Sequence, residues 1–249
     1  MTLQLVKMTD SFSCYARGEF EARFIYNEIF ESHEYDGPEL PEAPFIVDAG
    51  ANIGLFSLYM KEKYPLAKII AFEPAPESFD ALNRNLALHN ATGVVPYPYA
   101  LGSQAYSATF TYYPNAPGNS TLNLKEKELH QRLIKENYSE MPTDEVWKDS
   151  TQFPVPVNRL SHFLNCYHSD IATIDLLKID VEGTELDVLG GVDDKHWDNI
   201  QNVVLEVSDV CGSLDKVKQL LQSKGFTVTC VAAGDAKEII MLYMVTACR

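Results

Sequence analysis

Basic residues are scarce in this sequence. Lysine and arginine number 20 against 35 aspartates and glutamates, a formal net charge of −15 over 249 residues. Phosphate backbones are held by basic patches, so this balance argues against nucleic acid and anionic membrane as partners. Long apolar runs are missing as well. None approaches the roughly 20 residues of a membrane span, and Met1 to Asp10 carry no signal-peptide core. The five cysteines, Cys14, Cys166, Cys211, Cys230 and Cys248, are scattered and free of Cys-x-x-Cys spacing. Neither a zinc site nor a disulfide framework is implied, and a reducing, cytoplasmic setting fits. The glycine pattern of a dinucleotide site is also absent. Counting from Gly50, Asn52 and Leu55 stand where the second and third glycines belong, and Asp48 would face a diphosphate, so a nicotinamide dehydrogenase is poorly supported.

What the chain does have is a stretch that organises the rest, from Phe45 to Leu58. Phe45 to Val47 is an apolar run between Pro44 and Gly50, the pattern of a central strand covered on both faces. Gly50 permits a sharp turn with a ligand close to the backbone. Gly54 permits close approach where a helix opens on Leu55. Asp48 falls at the carboxyl end of the strand, where open α/β sheets keep their ligands, and suits a partner with an amino group or hydroxyls. The length is enough for one large α/β domain with a core, and a composition that is 46% hydrophobic does not call for disorder.

Around that stretch the alternation of strand and helix is regular. Residues 1 to 18 read as a leading arm and Glu19 to Ser32 as a helix, so that 1–44 precedes the core as an arm and helix. After a loop from Tyr35 to Pro44, strands are expected at 45–47, 68–72, 94–97, 174–180 and 201–207, with helices from Leu55 to about Tyr64, from Pro76 to about Asn90, and from Leu214 to Ser223. Glu73 ends the second strand, 19 residues after Gly54, in the position from which a carboxylate accepts hydrogen bonds from a ribose diol. The block at about 103–157 breaks the rhythm: a strand from Ala105 to Tyr113, a second from Ser120 to Leu124, a charged helix from Leu124 to Tyr138, a polar loop from Ser139 to Gln152 and a strand from Phe153 to Val157. Insertions at this end of a sheet either cover the active site or elaborate the surface. A short helix capped by Asn158 follows. The last strands, Phe226 to Ala232 and Glu238 to Ala247, are joined by a turn at Ala233 to Asp235 that is short enough to demand an antiparallel hairpin. The fold class expected is α/β: a doubly wound, mostly parallel, Rossmann-like seven-stranded sheet with an antiparallel C-terminal hairpin as its reversed edge, in a single domain over 1–249.

The strings VDAGANIGLFSL (47–58), AFEPAPESFDALNRNL (71–86), LLKIDVEGTELDVLGGV (176–192) and VVLEV (203–207), in this order, resemble the FkbM-type branch of class I S-adenosylmethionine-dependent methyltransferases. YALGS at 99–103 and the FIYNEIF lead-in at 24–30 extend the resemblance over roughly Glu19 to Arg249, and Lys178-Ile179-Asp180-Val181-Glu182-Gly183 is its most diagnostic string. The resemblance implies that Asp48, Gly50, Asn52 and Gly54 line the amino acid part of S-adenosylmethionine, that Glu73 binds its ribose, that Ala100 and Leu101 lie near its adenine, and that Asp180 closes the site beside the methionyl end. It further implies methyl transfer to a hydroxyl of a small molecule, a sugar or a polyketide-like natural product, free or bound to a carrier or synthase. N- or C-methylation, or a non-catalytic scaffold role, are the competing expectations, because cofactor motifs do not report the acceptor.

An aliphatic hydroxyl has a pKa of roughly 16, so its proton must leave as the oxygen attacks. One solution is a carboxylate base among Asp180, Glu182 and Glu206. The other is a divalent metal on those same three oxygen ligands, magnesium or calcium rather than zinc. Asp180 and Glu182 share a face if their strand continues, and Glu206 ends the neighbouring strand. Among the histidines, His196 reads as packing, His89 as a helix cap, and His162 and His168 flank a helix from which they could reach the site. Asn119-Ser120-Thr121 lies where the insertion returns to the sheet and could touch either ligand.

Overall fold

The computed structural model of the protein describes residues 3–137, 143–232 and 241–249. The described chain opens on a small antiparallel hairpin, β1 (Gln4–Lys7) with β2 (Ser13–Ala16), where the sequence suggested a leading arm. Helix α1 (Glu19–Tyr26) runs directly into a π-helical turn at Asn27–Glu31. The core then alternates: β3 (Phe45–Ala49), α2 (Leu55–Lys63), β4 (Lys68–Phe72), α3 (Pro76–Leu88) and β5 (Val94–Tyr97). The inserted block contains β6 (Ala100–Leu101), β7 (Tyr106–Tyr112), a 3-10 turn at Pro117–Asn119, α4 (Leu124–Asn137), α5 (Thr143–Val146) and β8 (Thr151–Asn158). The chain returns through α6 (Leu160–Tyr167), β9 (Leu176–Ile179), α7 (Glu185–Gly190), α8 (Asp194–Trp197), β10 (Asn202–Ser208), α9 (Ser213–Ser223), β11 (Thr227–Ala232) and β12 (Leu242–Cys248).

Seven of these strands form one sheet in the order β11-β12-β10-β9-β3-β4-β5, and β6, β8 and β7 form a separate three-stranded sheet. Every residue of β3 is buried. Its side chains alternate between two cores, as period-2 geometry requires. Val47 and Ala49 pack with Phe72, Phe163, Leu189 and Val217 on one face, and Ile46 packs with Leu58, Ile69, Leu82 and Val204 on the other. Helices therefore cover both faces, and β3, central in the sheet, delivers its carboxyl end to a crevice between them. No helix among the described residues is long and apolar enough to cross a membrane.

The C-terminal strands pair antiparallel at the edge of the sheet, as expected: β12 is antiparallel to both β10 and β11 and lies between them, so β11 is the outermost strand. The turn expected at Ala233 to Asp235 lies outside the described residues. Two expectations need correction. Ser120 to Leu124 is no strand. Thr121 makes a single bridge to Thr111 and α4 already begins at Leu124, because Asn123 accepts the Glu126 N–H at its side chain (3.3 Å) and turns the chain into the helix. Asn158 does not cap α6; its Oδ1 accepts the N–H of the next residue, Arg159, which is itself the cap position.

Candidate active site

The turn after β3 is tied down before any ligand is considered. Gly50 and Ala51 donate their N–H groups to the Phe72 carbonyl at 3.0 and 2.9 Å, which welds the turn to the end of β4. Gly50 has φ +78°, and a Cβ there would stand 1.7 Å from the Asp180 carbonyl oxygen, so no other residue fits. Asn52 follows at φ +48°, an uncommon left-handed conformation for a side-chain-bearing residue. Its N–H donates to Glu73 Oε2 (2.9 Å), and the Ala75 N–H donates to Glu73 Oε1 (2.8 Å). Two backbone donors thus aim the Glu73 carboxylate, whose remaining lone pairs can still accept. Burial pushes its pKa up to about 7.

Above this turn opens a cavity of about 470 Å³. Gly50, Asn52, Glu73, Ala100, Leu101 and Asp180 all line it, as do Glu182 and Glu206. Two residues of the expected set do not. Asp48 is 0% exposed; its Oδ2 accepts the Ser57 hydroxyl (2.7 Å) and its Oδ1 lies 3.2 Å from Lys178 Nζ, one layer beneath the cavity wall. Gly54, at φ +88°, faces α3 instead, where a Cβ would meet Leu82 Cδ1 at 2.5 Å. Its role is to let two helices approach.

Lys178 connects these layers. Its ammonium donates to the Gly50 carbonyl (2.8 Å) and lies 3.2 Å from Asp48 and 3.4 Å from Asp180. Burial pulls its pKa down, but the two carboxylates outweigh burial and hold it above the ordinary lysine value. Asp180 also accepts the Tyr35 hydroxyl (3.0 Å). Strand β9 ends at Ile179, and Glu182 sits at φ +58°, so the face shared by Asp180 and Glu182 is made by a strained loop and not by a continuing strand. Thr121 holds that loop by donating to the Glu182 carbonyl (2.6 Å), and Asn123 donates to the Gly183 carbonyl (3.0 Å). From β10, Glu206 completes the group: Asp180, Glu182 and Glu206 offer oxygens that lie within 4.8 Å of one another. Burial, then the neighbouring Asp180, Glu182 and Glu28, hold the Glu206 carboxyl well above the usual range. Burial likewise raises Glu182, against the pull of Lys127.

The inserted block forms the opposite wall. Helix α4 presents Lys127, His130 and Ile134 to the cavity, and the 3-10 turn presents Pro117, Gly118 and Asn119. Lys127 is buried and donates to Glu182 Oε2 at 2.8 Å. The sequence reading singled out neither Lys127 nor His130. Their spacing, three apart on one helical face with Ile134, was the available signal. His130 is, among the described residues, the one histidine lining the cavity. His162 and His168 stay outside it, the latter bonded through Nε2 to the Tyr97 hydroxyl (2.9 Å). His196 packs with Ser161 (2.7 Å), and His89 stands at the end of α3 with Nε2 against the Ser13 carbonyl (2.7 Å). Asn119 and Ser120 do reach the cavity.

A seven-stranded, mostly parallel sheet with one antiparallel strand near its C-terminal edge and a ligand crevice at the carboxyl ends of its strands is a class I methyltransferase-like α/β fold. The Methyltransferase FkbM domain matches residues 48–228. Methyltransferase sdnD of Sordaria araneosa is 49% identical over 228 residues, 88% of this chain and 88% of that one. The 31-O-demethyl-FK506 methyltransferase FkbM of Streptomyces tacrolimicus is 38% identical over 218 residues, covering 84% of this chain and 83% of that one. A crystal structure of Methyltransferase FkbM from Methylobacillus flagellatus is similar at a TM-score of 0.56 with 12% identity, over 84% of this chain and 44% of that chain, a likeness of fold alone. The chain belongs to the FkbM methyltransferase family and is an S-adenosylmethionine-dependent methyltransferase.

Proposed function

We propose that this enzyme transfers the methyl group to a hydroxyl oxygen of a small molecule, a natural product or a sugar. The observation that carries the reading is the convergence, in one cavity, of the Gly50 turn and Glu73 with the carboxylates Asp180, Glu182 and Glu206. The Streptomyces relative, a 31-O-demethyl-FK506 methyltransferase, supports the same acceptor atom.

Gly50 has no room for a Cβ against the Asp180 carbonyl and brings the turn backbone to the cavity wall. The residues fit the cofactor on two counts. Glu73 is aimed by two backbone donors and can accept from a diol. Asn52 Oδ1 is buried with no hydrogen-bond partner among the described residues, an acceptor waiting for a donor such as an ammonium group. Ala100 and Leu101 offer an apolar wall for the adenine. Asp48 acts at one remove, by fixing Lys178 and through it the Gly50 carbonyl. When bound, the cofactor supplies a methyl group already activated on a sulfonium.

The chain must then orient the acceptor and take its proton. Asp180 is engaged by Tyr35 and Lys178, and Glu182 by Lys127. Glu206 accepts no hydrogen bond or ion pair among the described residues and is the base we assign. The other two position the hydroxyl. The same trio would suit a divalent cation through its oxygen ligands, but Lys127 and Lys178 already supply the positive charge there, so the base reading leads. The block from about 103 to 157 acts as a lid that excludes water from the reacting atoms.

The test is methyl transfer from isotopically labelled S-adenosylmethionine to a panel of hydroxyl compounds, with the product's methyl position assigned by NMR. An O-methyl product formed equally in EDTA, with kcat about 100- to 10,000-fold lower in Glu206→Gln, is the expected result. A methyl on nitrogen or carbon overturns the acceptor assignment, and loss of activity in EDTA replaces the base with a metal.

A further inference from the structure

The cavity lining combines acidic and apolar side chains. Its acidic members are Glu21, Glu28, Glu73, Asp180, Glu182 and Glu206, six against the two ammonium groups of Lys127 and Lys178. The mouth carries two large apolar side chains that none of the described residues covers: Phe20 is 82% exposed and Phe24 57% exposed, yet both line the same cavity. They are four apart on α1 and therefore share one face of it. Elsewhere on α1 the chain follows ordinary rules, with Ala22 buried and Arg23 bonded to Glu19 (2.8 Å). Trp147 adds a third aromatic to this wall, donating Nε1–H to Asn119 Oδ1 at 3.3 Å. Exposed phenylalanines at the rim of a concave site mark the place where a ligand's apolar surface lies.

Granting that this cavity is the methyl-transfer site, we propose that the acceptor is an uncharged or cationic amphiphile. Its hydroxyl end enters among the carboxylates, and an aromatic or aliphatic body is clamped at the mouth by Phe20 and Phe24. Those two residues set acceptor specificity without touching the cofactor. An acceptor bearing a carboxylate or phosphate beside its reacting hydroxyl is rejected, because it would bring a further negative charge into a partly desolvated wall that already holds six acidic groups against two basic ones. Burial pushes the Glu21 carboxyl up to about 7 and the Glu28 carboxyl up to about 8, in keeping with a wall that resists further negative charge.

Three fluorescent naphthalenes of one shape test this, each titrated into the enzyme saturated with S-adenosylhomocysteine: naphthalen-2-ylmethanol, naphthalen-2-ylmethylammonium and 2-naphthoate. The alcohol and the ammonium are expected to bind at least about tenfold more tightly than the carboxylate. Comparing the two ions separates the charge of the wall from the general reluctance of ions to leave water. Phe20→Ser/Phe24→Ser, with both changes at exposed positions, is expected to weaken the alcohol at least about tenfold while S-adenosylhomocysteine binding and the melting temperature stay as in the wild type. Equal affinity for ammonium and carboxylate, no binding of the alcohol, or an unchanged alcohol affinity in the double variant each overturn the inference. The S-adenosylhomocysteine titration is read separately, so a failure of the cofactor site is not mistaken for a failure of the acceptor clamp.

Discussion

At the scale of single residues, the account turns on Lys178, which joins the glycine turn to the carboxylates above and below it. Asp48 has no exposure to water, and its counter-charge is the Lys178 ammonium. Lys178→Met leaves that charge buried and unpaired, which costs about 3–5 kcal/mol and lowers the melting temperature by about 6–20 °C in a chain of this size. Lys218→Met, which removes an exposed pair with Asp215, should leave it nearly unchanged. Equal melting temperatures for the two variants would refute the buried-pair account. Which residues were legible follows from where their constraint lies. Gly50, Asn52, Glu73 and Asp180 sit at strand ends and tight turns, where position along the chain fixes position in space. Asp48 was read in the right place but on the wrong side of the wall, since alternation along β3 does not tell which face meets the ligand. Lys127 and His130 come from an inserted helix, and nothing local ties such a helix to a site formed by residues some 50 positions later.

Between residues and fold, the elements were legible where burial imposes a period. Strands β3, β4, β9 and β10 are near-continuous apolar runs, and α2, α3 and α9 carry clear start and stop signals at Leu55, Pro76 and Gly225. The β1–β2 hairpin was missed because its strands are four residues long and half exposed. The placement of β12 inside the sheet is set by long-range pairing with β10, which a hairpin reading of the sequence does not contain. The proposed lid gives a prediction at this scale. Gly118 in the 3-10 turn donates its N–H to Glu21 Oε1 (2.6 Å), and its missing Cβ leaves room for Asn52 Nδ2 at 3.3 Å. The turn therefore rests on both α1 and the glycine turn. Hydrogen-exchange mass spectrometry should show that S-adenosylhomocysteine slows exchange across Pro117 to Asn119 and along α4, not just after β3. Protection confined to Gly50 through Gly54 would count against a lid.

For the molecule as a whole, buried acid sets the response to pH. Burial raises Glu28 and Glu185 to about 8 and Glu21 and Glu73 to about 7, against roughly 4.3 for a glutamate in an unfolded chain. Between those values the folded state holds more protons than the unfolded one. The stability from these groups is therefore complete below about pH 4.3 and is lost as pH rises toward 8. The melting temperature of the ligand-free protein should fall from pH 6 to pH 8.5. Glu185→Gln keeps an acceptor for the Gly183 N–H, bonded at 2.8 Å, and should flatten that fall and raise the melting temperature at pH 8.5; an unchanged slope would contradict this origin. The central claim is that the cavity holds the cofactor on Gly50, Asn52 and Glu73, and calorimetric titration of S-adenosylhomocysteine into wild type, Glu73→Ala and the milder Glu73→Gln addresses it most directly. The account predicts micromolar binding to wild type, about −7 to −8 kcal/mol, the same in EDTA and in magnesium, and weakened about 10- to 100-fold in folded Glu73→Ala. Wild type that takes up none, or a Glu73→Ala protein that binds as wild type does, would contradict it.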